Sequence, residues 1–219
     1  MQKAPGMVAS PLVPAPPSAQ LILASASPRR RALLAQLTIP FTVLPANIDE
    51  SVMPGEVPWA YARRVAYAKA QHVARQYPTA VVLGADSVVV LAHHILGKPR
   101  DPDDARQMLS RLSGRVHTVM TAVAVLHDAR HVVCLDVVQT LVRFHPLSPA
   151  AIEHYIATGE PMDKAGAYAI QGAAAAFVES WQGCYTNVVG LPLRRTAAFL
   201  QAVGLPVPIV PERSGQSAS

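Results

Sequence analysis

The sequence is poor in cysteine, and this scarcity excludes several kinds of protein. Its 219 residues include two cysteines, Cys134 and Cys184, and no CxxC pair. A small secreted fold held by disulfides is therefore excluded, and two reduced thiols point to the cytoplasm. No apolar run reaches the roughly 18 residues that a membrane-spanning helix requires, so we expect no contact with a membrane.

The sequence also lacks the common phosphate-binding and zinc-binding motifs. It contains neither GxxxxGK[ST] nor GxGxxG, and none of its eight histidines falls in an HExxH pattern. Aromatic residues make up 5% of the chain and do not alternate with the basic residues, which are scattered. The net charge of +5 suits an anionic ligand, whereas the pattern predicts no nucleic-acid partner. An alternative interpretation of the positive charge is a basic nucleic-acid-binding module, which steep salt-dependent DNA binding would support.

What the sequence does contain is an alternation of apolar strands and capped helices, with 51% hydrophobic residues. This predicts an α/β fold, with a mixed twisted sheet, flanking helices and two lobes around a central cleft. The proline-rich residues 1–20 predict a disordered tail and not a targeting segment, residues 21–205 a single domain, and residues 206–219 a flexible tail. Strands are predicted at 21–25, 41–44, 80–91 (or a pair broken near Gly84), 116–126, 132–143, 174–179 and 185–189. Helices are predicted at 28–37, 59–76, 101–114, 148–158 and 193–203.

Three consecutive arginines, Arg29, Arg30 and Arg31, lie at the start of the first predicted helix. Ser27 and Pro28 before them are helix-start signals. The N-terminus of a helix already carries partial positive charge, so these cations require an explanation. A bound polyphosphate would supply one, because the helix N-terminus and its arginines would then converge on one anion.

Four other charged side chains are candidates for a site that binds an anion or a cation. Asp86 interrupts the apolar run 80–91, and it is either a turn cap or a metal ligand or general base. Lys69 interrupts the apolar face of a helix, and it either extends to solvent or reaches an anion in a cleft. Lys98 and Glu50 taken singly are ordinary loop residues, but Glu50 together with Asp86 could hold an ion of the Mg²⁺ type.

Several segments, in order, resemble the Maf family of nucleoside triphosphate pyrophosphatases. They are LASASPRR, DE at 49–50, AYAKA, LGADSVVV, GKPRDPDDARQMLSRLSGRVHTVMTAVAV, DKAGAYAIQG and NVVGLPL, and together they span residues 21–203. The resemblance implies hydrolysis of a nucleoside triphosphate to the monophosphate and pyrophosphate with Mg²⁺ or Mn²⁺, often in a homodimer. DKAGAYAIQG resembles the subgroup that acts on dTTP and UTP. The alternatives are another base preference, such as 7-methyl-GTP, and a non-catalytic nucleotide-binding regulator of cell division.

The resemblance also implies a role for each matching residue. Asp86 is the expected proton acceptor and, with Glu50, the expected metal ligand. Gln171 carries an amide whose donor and acceptor match the N3–H and O4 edge of uracil or thymine. Ser87 stands where this subgroup commonly has threonine, and it keeps the hydroxyl. The expected specificity residues are Arg29, Ser87 and Gln171, and the expected phosphate-binding residues are Ser27, Arg29, Arg30, Lys69 and Lys98.

Overall fold

A computed structural model describes residues 20–208, and a mixed seven-stranded sheet organises them in the order β2-β1-β3-β5-β6-β7, with β4 paired to β3. The strands are β1 (Leu21–Leu23), β2 (Phe41–Val43), β3 (Val81–Leu91), β4 (His94–Leu96), β5 (Val116–His127), β6 (Val132–Phe144) and β7 (Val178–Gln182). The helices are α1 (Pro28–Ala35), α2 (Pro58–Ala74), α3 (Pro102–Leu112), α4 (Pro149–Ala157), α5 (Tyr185–Val189) and α6 (Leu193–Ala202). The α/β prediction is confirmed.

The sheet is parallel at one edge and antiparallel elsewhere. β1 runs parallel to both β2 and β3, and such pairs need crossover connections, which α1 and α2 provide. β3, β5 and β6 are long antiparallel neighbours. The predicted strands 116–126 and 132–143 therefore form an antiparallel hairpin, β5 and β6.

The two faces of β3 contribute to two separate hydrophobic cores because successive side chains of a strand point to opposite faces. Val82, Val88 and Val90 pack with the apolar face of α2 in one core. Val81, Leu83 and Val89 belong to the other core, which includes residues of α1, α3, α4 and α6.

Gly84 brings α2 close to β3. A Cβ atom added at this position would lie 2.4 Å from the carbonyl oxygen of Ala66 and 2.8 Å from the amide nitrogen of Ala70. β3 continues through Gly84 without a break, so the predicted run is one strand and not two. This close contact fixes the height at which α2 crosses the sheet, and therefore where Lys69 lies.

β3 and β4 form a tight hairpin that the sequence analysis did not predict. Leu91 pairs with His94, so Ala92 and His93 form a two-residue loop. Both loop residues have positive φ, 47° and 70°. Hairpin loops of this length favour Asn-Gly, and Ala-His carries no such signal.

Side chains cap the predicted helices 101–114 and 148–158, and two predicted strands are wrong or displaced. The Asp101 side chain accepts from the Asp104 amide at 2.7 Å, and Ser148 caps α4 in the same way. Residues 185–189 form the helix α5 and not a strand. Residues 174–179 were predicted as a strand, but a 3-10 helix occupies Ala173–Phe177 and the strand β7 begins at Val178.

The tails predicted for residues 1–20 and 206–219 lie outside the described residues, apart from residue 20 and residues 206–208. Across the described part of the chain, no helix combines the length and apolarity needed to cross a membrane.

Candidate active site

A cleft of about 790 Å³ opens beside the middle of β3. β1 pairs only with residues 81–83 of β3, and β4 pairs only with residues 89–91. The edge of β3 between these pairings therefore has no strand partner. Asp86 and Ser87 lie on this open stretch, and their side chains line the cleft from opposite faces of the strand.

Asp86 forms a buried ion pair with Lys69 of α2. Lys69 Nζ donates to Asp86 Oδ1 at 2.9 Å, and the two residues are only 7% and 6% exposed. The same ammonium group donates to Glu50 Oε2 at 2.8 Å. Of the two alternatives for Lys69, extension to solvent is not found, and the buried ammonium group brings together the two carboxylates that the sequence singled out.

The buried environment of Asp86 favours the protonated form of its carboxyl more than exposure to water would. Burial raises the pKa of the Asp86 carboxyl, and the positive charges of Lys69 and Arg30 partly offset that rise. Within residues 20–208, no side chain or amide donates a hydrogen bond to Asp86 Oδ2. This oxygen is therefore available to a proton or a cation, while Oδ1 is held by Lys69.

Tyr61 lines the same cleft and anchors the loop that carries Glu50. Its hydroxyl donates to the Glu50 carbonyl at 2.9 Å. Burial and the negative charges of Asp86 and Glu50 raise the pKa of Tyr61 to about 12, so it stays a neutral donor. Farther along α2, Arg64 pairs with Glu56 at 2.6 Å and donates to the Ser51 carbonyl at 2.8 Å.

Arg30 connects three parts of the chain on the other side of β3. Its Nε donates to the Gly190 carbonyl at 2.9 Å, Nη1 to Ser25 Oγ at 3.3 Å, and Nη2 to Ser87 Oγ at 3.1 Å. Burial lowers the pKa of the Arg30 guanidinium, whereas the negative charge of Asp86 raises it. The guanidinium is thus held in one orientation next to Ser87 before any ligand binds.

A buried hydrogen-bond network behind Ser87 fixes the direction of its hydroxyl. Thr121 Oγ1 donates to the Asn187 carbonyl at 2.9 Å, so its own oxygen must accept the proton of Ser87 Oγ, 2.8 Å away. The Asn187 amide donates in turn to Thr140 Oγ1 at 2.8 Å and to the Val119 carbonyl at 3.0 Å. Ser87 therefore presents only its acceptor lone pairs to Arg30 and to the cleft.

This network also explains why residues 185–189 form a helix. Thr186, Val188 and Val189 favour a strand by propensity. The bonds of Asn187 to β5 and β6 instead hold one helical turn against the sheet, with Gly190 at its end. The family resemblance includes Thr121, Asn187 and Gly190 but implies no role for any of them.

The start of α1 forms one wall of the cleft as predicted. Ser27 caps the helix, since its Oγ accepts from the Arg30 amide at 3.3 Å. Arg29 lines the cleft, and its positive charge contributes to the lowering of the pKa of Asp163, which is mainly due to Lys164. Arg31 is exposed and does not line the cleft, unlike Arg29 and Arg30.

Two predicted residues lie farther from this centre. Lys98 is exposed and lines the mouth of the cleft just after β4. The neighbouring Gly97 carbonyl accepts from the Gly166 amide at 2.9 Å, which ties this segment to the opposite wall. Gln171 lies in an exposed turn and does not line the cleft, although Tyr168, three residues earlier, does.

The carboxylates of Glu50 and Asp86 fit a cation of the magnesium type. Both contact the same ammonium group, so their oxygens converge on one small region. Among residues 20–208, no group of three or more His, Cys, Asp or Glu could hold a metal ion. Magnesium in phosphate-handling sites is commonly held by one or two carboxylates, with substrate phosphates and water as the other ligands. The pair therefore suits a cation that binds together with a nucleotide.

Comparisons with known proteins show which proteins this chain resembles. A family model described as Maf-like protein matches residues 20–203. The dTTP/UTP pyrophosphatase of Anaeromyxobacter dehalogenans is 55% identical over 191 residues, which cover 86% of this chain and 96% of the relative. Proteins of the same name from Myxococcus xanthus and Symbiobacterium thermophilum are 53% and 50% identical over 188 residues, covering 86% of this chain and 94% and 96% of the relatives. A solved HAM1 protein from Coxiella burnetii aligns in part, with a TM-score of 0.42, 16% identity, and coverage of 57% of this chain and 73% of that chain.

Proposed function

The chain belongs to the Maf-like protein family, and from that membership we propose that it hydrolyses dTTP and UTP to the monophosphate and pyrophosphate. Such an activity removes or balances pyrimidine nucleotides in the nucleotide pool. Relatives that are 50–55% identical over most of the chain carry the name dTTP/UTP pyrophosphatase. One observation carries the proposal: two carboxylates on a shared lysine face an arginine-lined helix start across the same cleft.

Asp86 acts as the proton acceptor in the proposed reaction. The oxygen of a water molecule forms a bond to the α-phosphorus, and the bond from that phosphorus to the bridging oxygen breaks. The proton of the water passes to Asp86 Oδ2, the oxygen that Lys69 leaves unoccupied. The bridging oxygen leaves with pyrophosphate, whose charge Arg30 and Lys98 stabilise.

Glu50 and Asp86 would hold the divalent cation, which would polarise the phosphoryl oxygens when bound. Lys69 positions both carboxylates for that task through its bonds of 2.8 and 2.9 Å. Ser27 and the first turn of α1 bind phosphate oxygens, because a helix start favours anions. Mg²⁺ and Mn²⁺ both suit this set of oxygen ligands.

Arg29, Ser87 and Gln171 set the base preference in this proposal. The Ser87 oxygen can only accept a hydrogen bond from a base, since its proton is committed to Thr121. Gln171 pairs with N3–H and O4 of uracil or thymine. Cytosine presents the reversed pattern at this edge and is therefore the poorer substrate.

The proposal includes a homodimer in the cytoplasm. The homodimer rests on the family resemblance, and analytical ultracentrifugation tests it. The two cysteines, Cys134 and Cys184, are free, which suits a reducing compartment.

Pyrophosphate release across a nucleotide panel tests the activity. The panel contains dTTP, UTP, CTP, GTP and 7-methyl-GTP, each with Mg²⁺ and with Mn²⁺, and a chelator control. We expect dTTP and UTP to give the highest kcat/KM, with release abolished by the chelator. A preference for 7-methyl-GTP would contradict the base assignment, and nucleotide binding without pyrophosphate release would favour the regulator.

A further inference from the structure

Glu160 holds the turn that carries Gln171. The turn begins one residue after Tyr168, which lines the cleft, and it closes through a bond of 3.0 Å from the Gly172 amide to the Ala169 carbonyl. Gln171 lies in the middle of this turn with an exposed side chain. The position of Gln171 therefore depends on the residues that hold this turn.

The Glu160 carboxylate is connected to one end of this turn directly and to the other end through Tyr155. Oε2 accepts from the Ala173 amide at 3.2 Å, after the turn. Oε1 accepts from the Tyr155 hydroxyl at 3.0 Å, and the same hydroxyl accepts from the Ala169 amide at 3.2 Å, before the turn. The two side chains therefore connect residues 169 and 173 across the base of the turn.

Gly172 shows how closely the turn and the carboxylate fit. A Cβ atom at this position would lie 1.8 Å from Glu160 Oε1 and 2.4 Å from its carboxyl carbon. No side chain can occupy residue 172 unless Glu160 leaves its place. The carboxylate thus fills the space that the glycine leaves open.

The other end of this connection is anchored in the core. Tyr155 is 2% exposed, and its ring packs edge-on against Phe177 with 5.2 Å between ring centroids. Burial raises the pKa of Tyr155, so the hydroxyl keeps the proton that it donates to Glu160. The turn is therefore tied to a rigid residue and not to another loop.

We infer that Glu160 is a positioning residue for base selectivity, acting with Tyr155 to hold the turn that carries Gln171 beside the part of the cleft that Tyr168 lines. This role rests on the proposed function. It predicts that loss of the carboxylate affects the choice between bases more than it affects turnover. A purely structural carboxylate would instead change all substrates together.

Selectivity ratios in matched variants test the inference. The variants are Glu160→Ala, Glu160→Gln and Gln171→Ala, and the control is Glu179→Gln, which changes an exposed glutamate on β7. The measured quantity is kcat/KM for UTP divided by kcat/KM for CTP. We expect this ratio to fall about tenfold in Glu160→Ala and in Gln171→Ala, the effect of one hydrogen bond. In Glu160→Ala, kcat for UTP should stay within about threefold of wild type. The ratio in Glu160→Gln should lie between these values, because the amide oxygen can still accept from the Tyr155 hydroxyl, whereas the amide nitrogen is a donor and cannot accept from the Ala173 amide. The ratio in Glu179→Gln should match that of wild type.

Amide hydrogen exchange gives a second readout that does not need a substrate. The Ala169 and Ala173 amides should exchange faster in Glu160→Ala than in wild type. If the UTP to CTP ratio is unchanged in Glu160→Ala, or if activity falls equally for every nucleotide, the positioning role is overturned. Hydrolysis of UTP by the wild-type protein would still uphold the proposed function. A wild-type protein that releases no pyrophosphate from UTP would overturn the proposed function and the selectivity role together, while the exchange data would still report whether Glu160 holds the turn.

Discussion

Lys69 Nζ lies 2.9 Å from Asp86 Oδ1 in the interface between α2 and β3, and the same group reaches Glu50 Oε2 at 2.8 Å. A buried carboxylate alone would carry a large desolvation cost. The ammonium group offsets that cost and leaves Asp86 Oδ2 available. The cleft therefore presents this carboxylate oxygen next to a second carboxylate, that of Glu50.

Replacing Asp86 by asparagine should abolish most of the activity while keeping the fold. An amide of the same size cannot accept the proton of the attacking water, and general-base catalysis contributes about a hundredfold or more. Lys69 keeps Glu50 as its partner, so the circular dichroism spectrum should not change. Initial rates of pyrophosphate release from UTP check this, with the exposed Asp128→Asn as the control. Wild-type turnover in Asp86→Asn would remove this residue from the mechanism.

Replacing Thr121 by valine should weaken nucleotide binding through Arg30. The change removes the acceptor of the Ser87 proton and the donor to the Asn187 carbonyl. Ser87 then no longer holds Arg30 in one orientation, and KM for UTP should rise about tenfold, with a loss of roughly 1–3 kcal/mol in the free energy of unfolding.

Two controls accompany this variant. Thr121→Ser keeps the hydroxyl and should restore KM, and Thr118→Val changes a neighbouring threonine of β5. If Thr121→Val destabilised the protein but left KM unchanged, the network would serve stability alone.

His117 should make the protein less stable in acid. Its Nε2 lies 2.8 Å from the Tyr168 hydroxyl, its Nδ1 is buried without a partner among the described residues, and burial lowers the pKa of the ring to about 4. Between pH 6.5 and 4 the unfolded chain therefore binds a proton that the folded chain does not bind. Stability present at neutral pH should fall across this window, by about 3 kcal/mol at most.

Urea unfolding at pH 7 and pH 4.5 checks the contribution of His117. The free energy lost between the two values should be smaller in His117→Gln than in wild type, whatever the absolute stability of the variant. The exposed His154→Gln should keep the wild-type difference. Equal losses in all three proteins would show that His117 does not control the acid dependence.

The loop between β3 and β4 should accept a stabilising change. Ala92 and His93 adopt left-handed backbone conformations, φ 47° and 70°, which cost a residue with a side chain about 1 kcal/mol. The double substitution Ala92→Asn with His93→Gly supplies the residues that such a loop favours and should raise the free energy of unfolding by roughly 1 kcal/mol. A chain of this size should then melt about 2–4 °C higher.

The opposite substitution completes this test. His93→Val places a β-branched residue at positive φ and should lower the melting temperature. Calorimetry of both variants checks the pair, and a melting temperature that moves in the same direction in both would contradict the strain at this loop.

The elements that were predicted correctly carry their own local signals. Asp101 with Pro102, and Ser148 with Pro149, mark the starts of α3 and α4 because each cap bonds an amide within its own first turn. β4 lacks such a signal, since its hairpin turns through Ala-His. α5 carries a misleading one, because Val188 and Val189 favour strands and the bonds that override them come from β5 and β6.

In the candidate site, too, some features have a local sequence signal and others depend on tertiary packing. Asp86 and Lys69 are each recognisable as charged residues in apolar surroundings, which predicts a partner for each. That they are partners of one another depends on the height at which α2 crosses Gly84, and no local pattern encodes this. Glu160 had no signal, because its bonds to Tyr155 and Ala173 arise from the packing of a loop on α4.

The bond from Arg30 to Gly190 has a consequence for the time at which the cleft is completed during synthesis. The two residues are 160 positions apart, so at 5–20 residues per second the ribosome adds Gly190 on the order of 10 s after Arg30. β1, β2 and β3 can associate earlier, but Arg30 lacks its carbonyl partner until α5 has emerged. The wall of the cleft that Arg30 and Gly190 form is therefore complete only when nearly all of the domain has been translated.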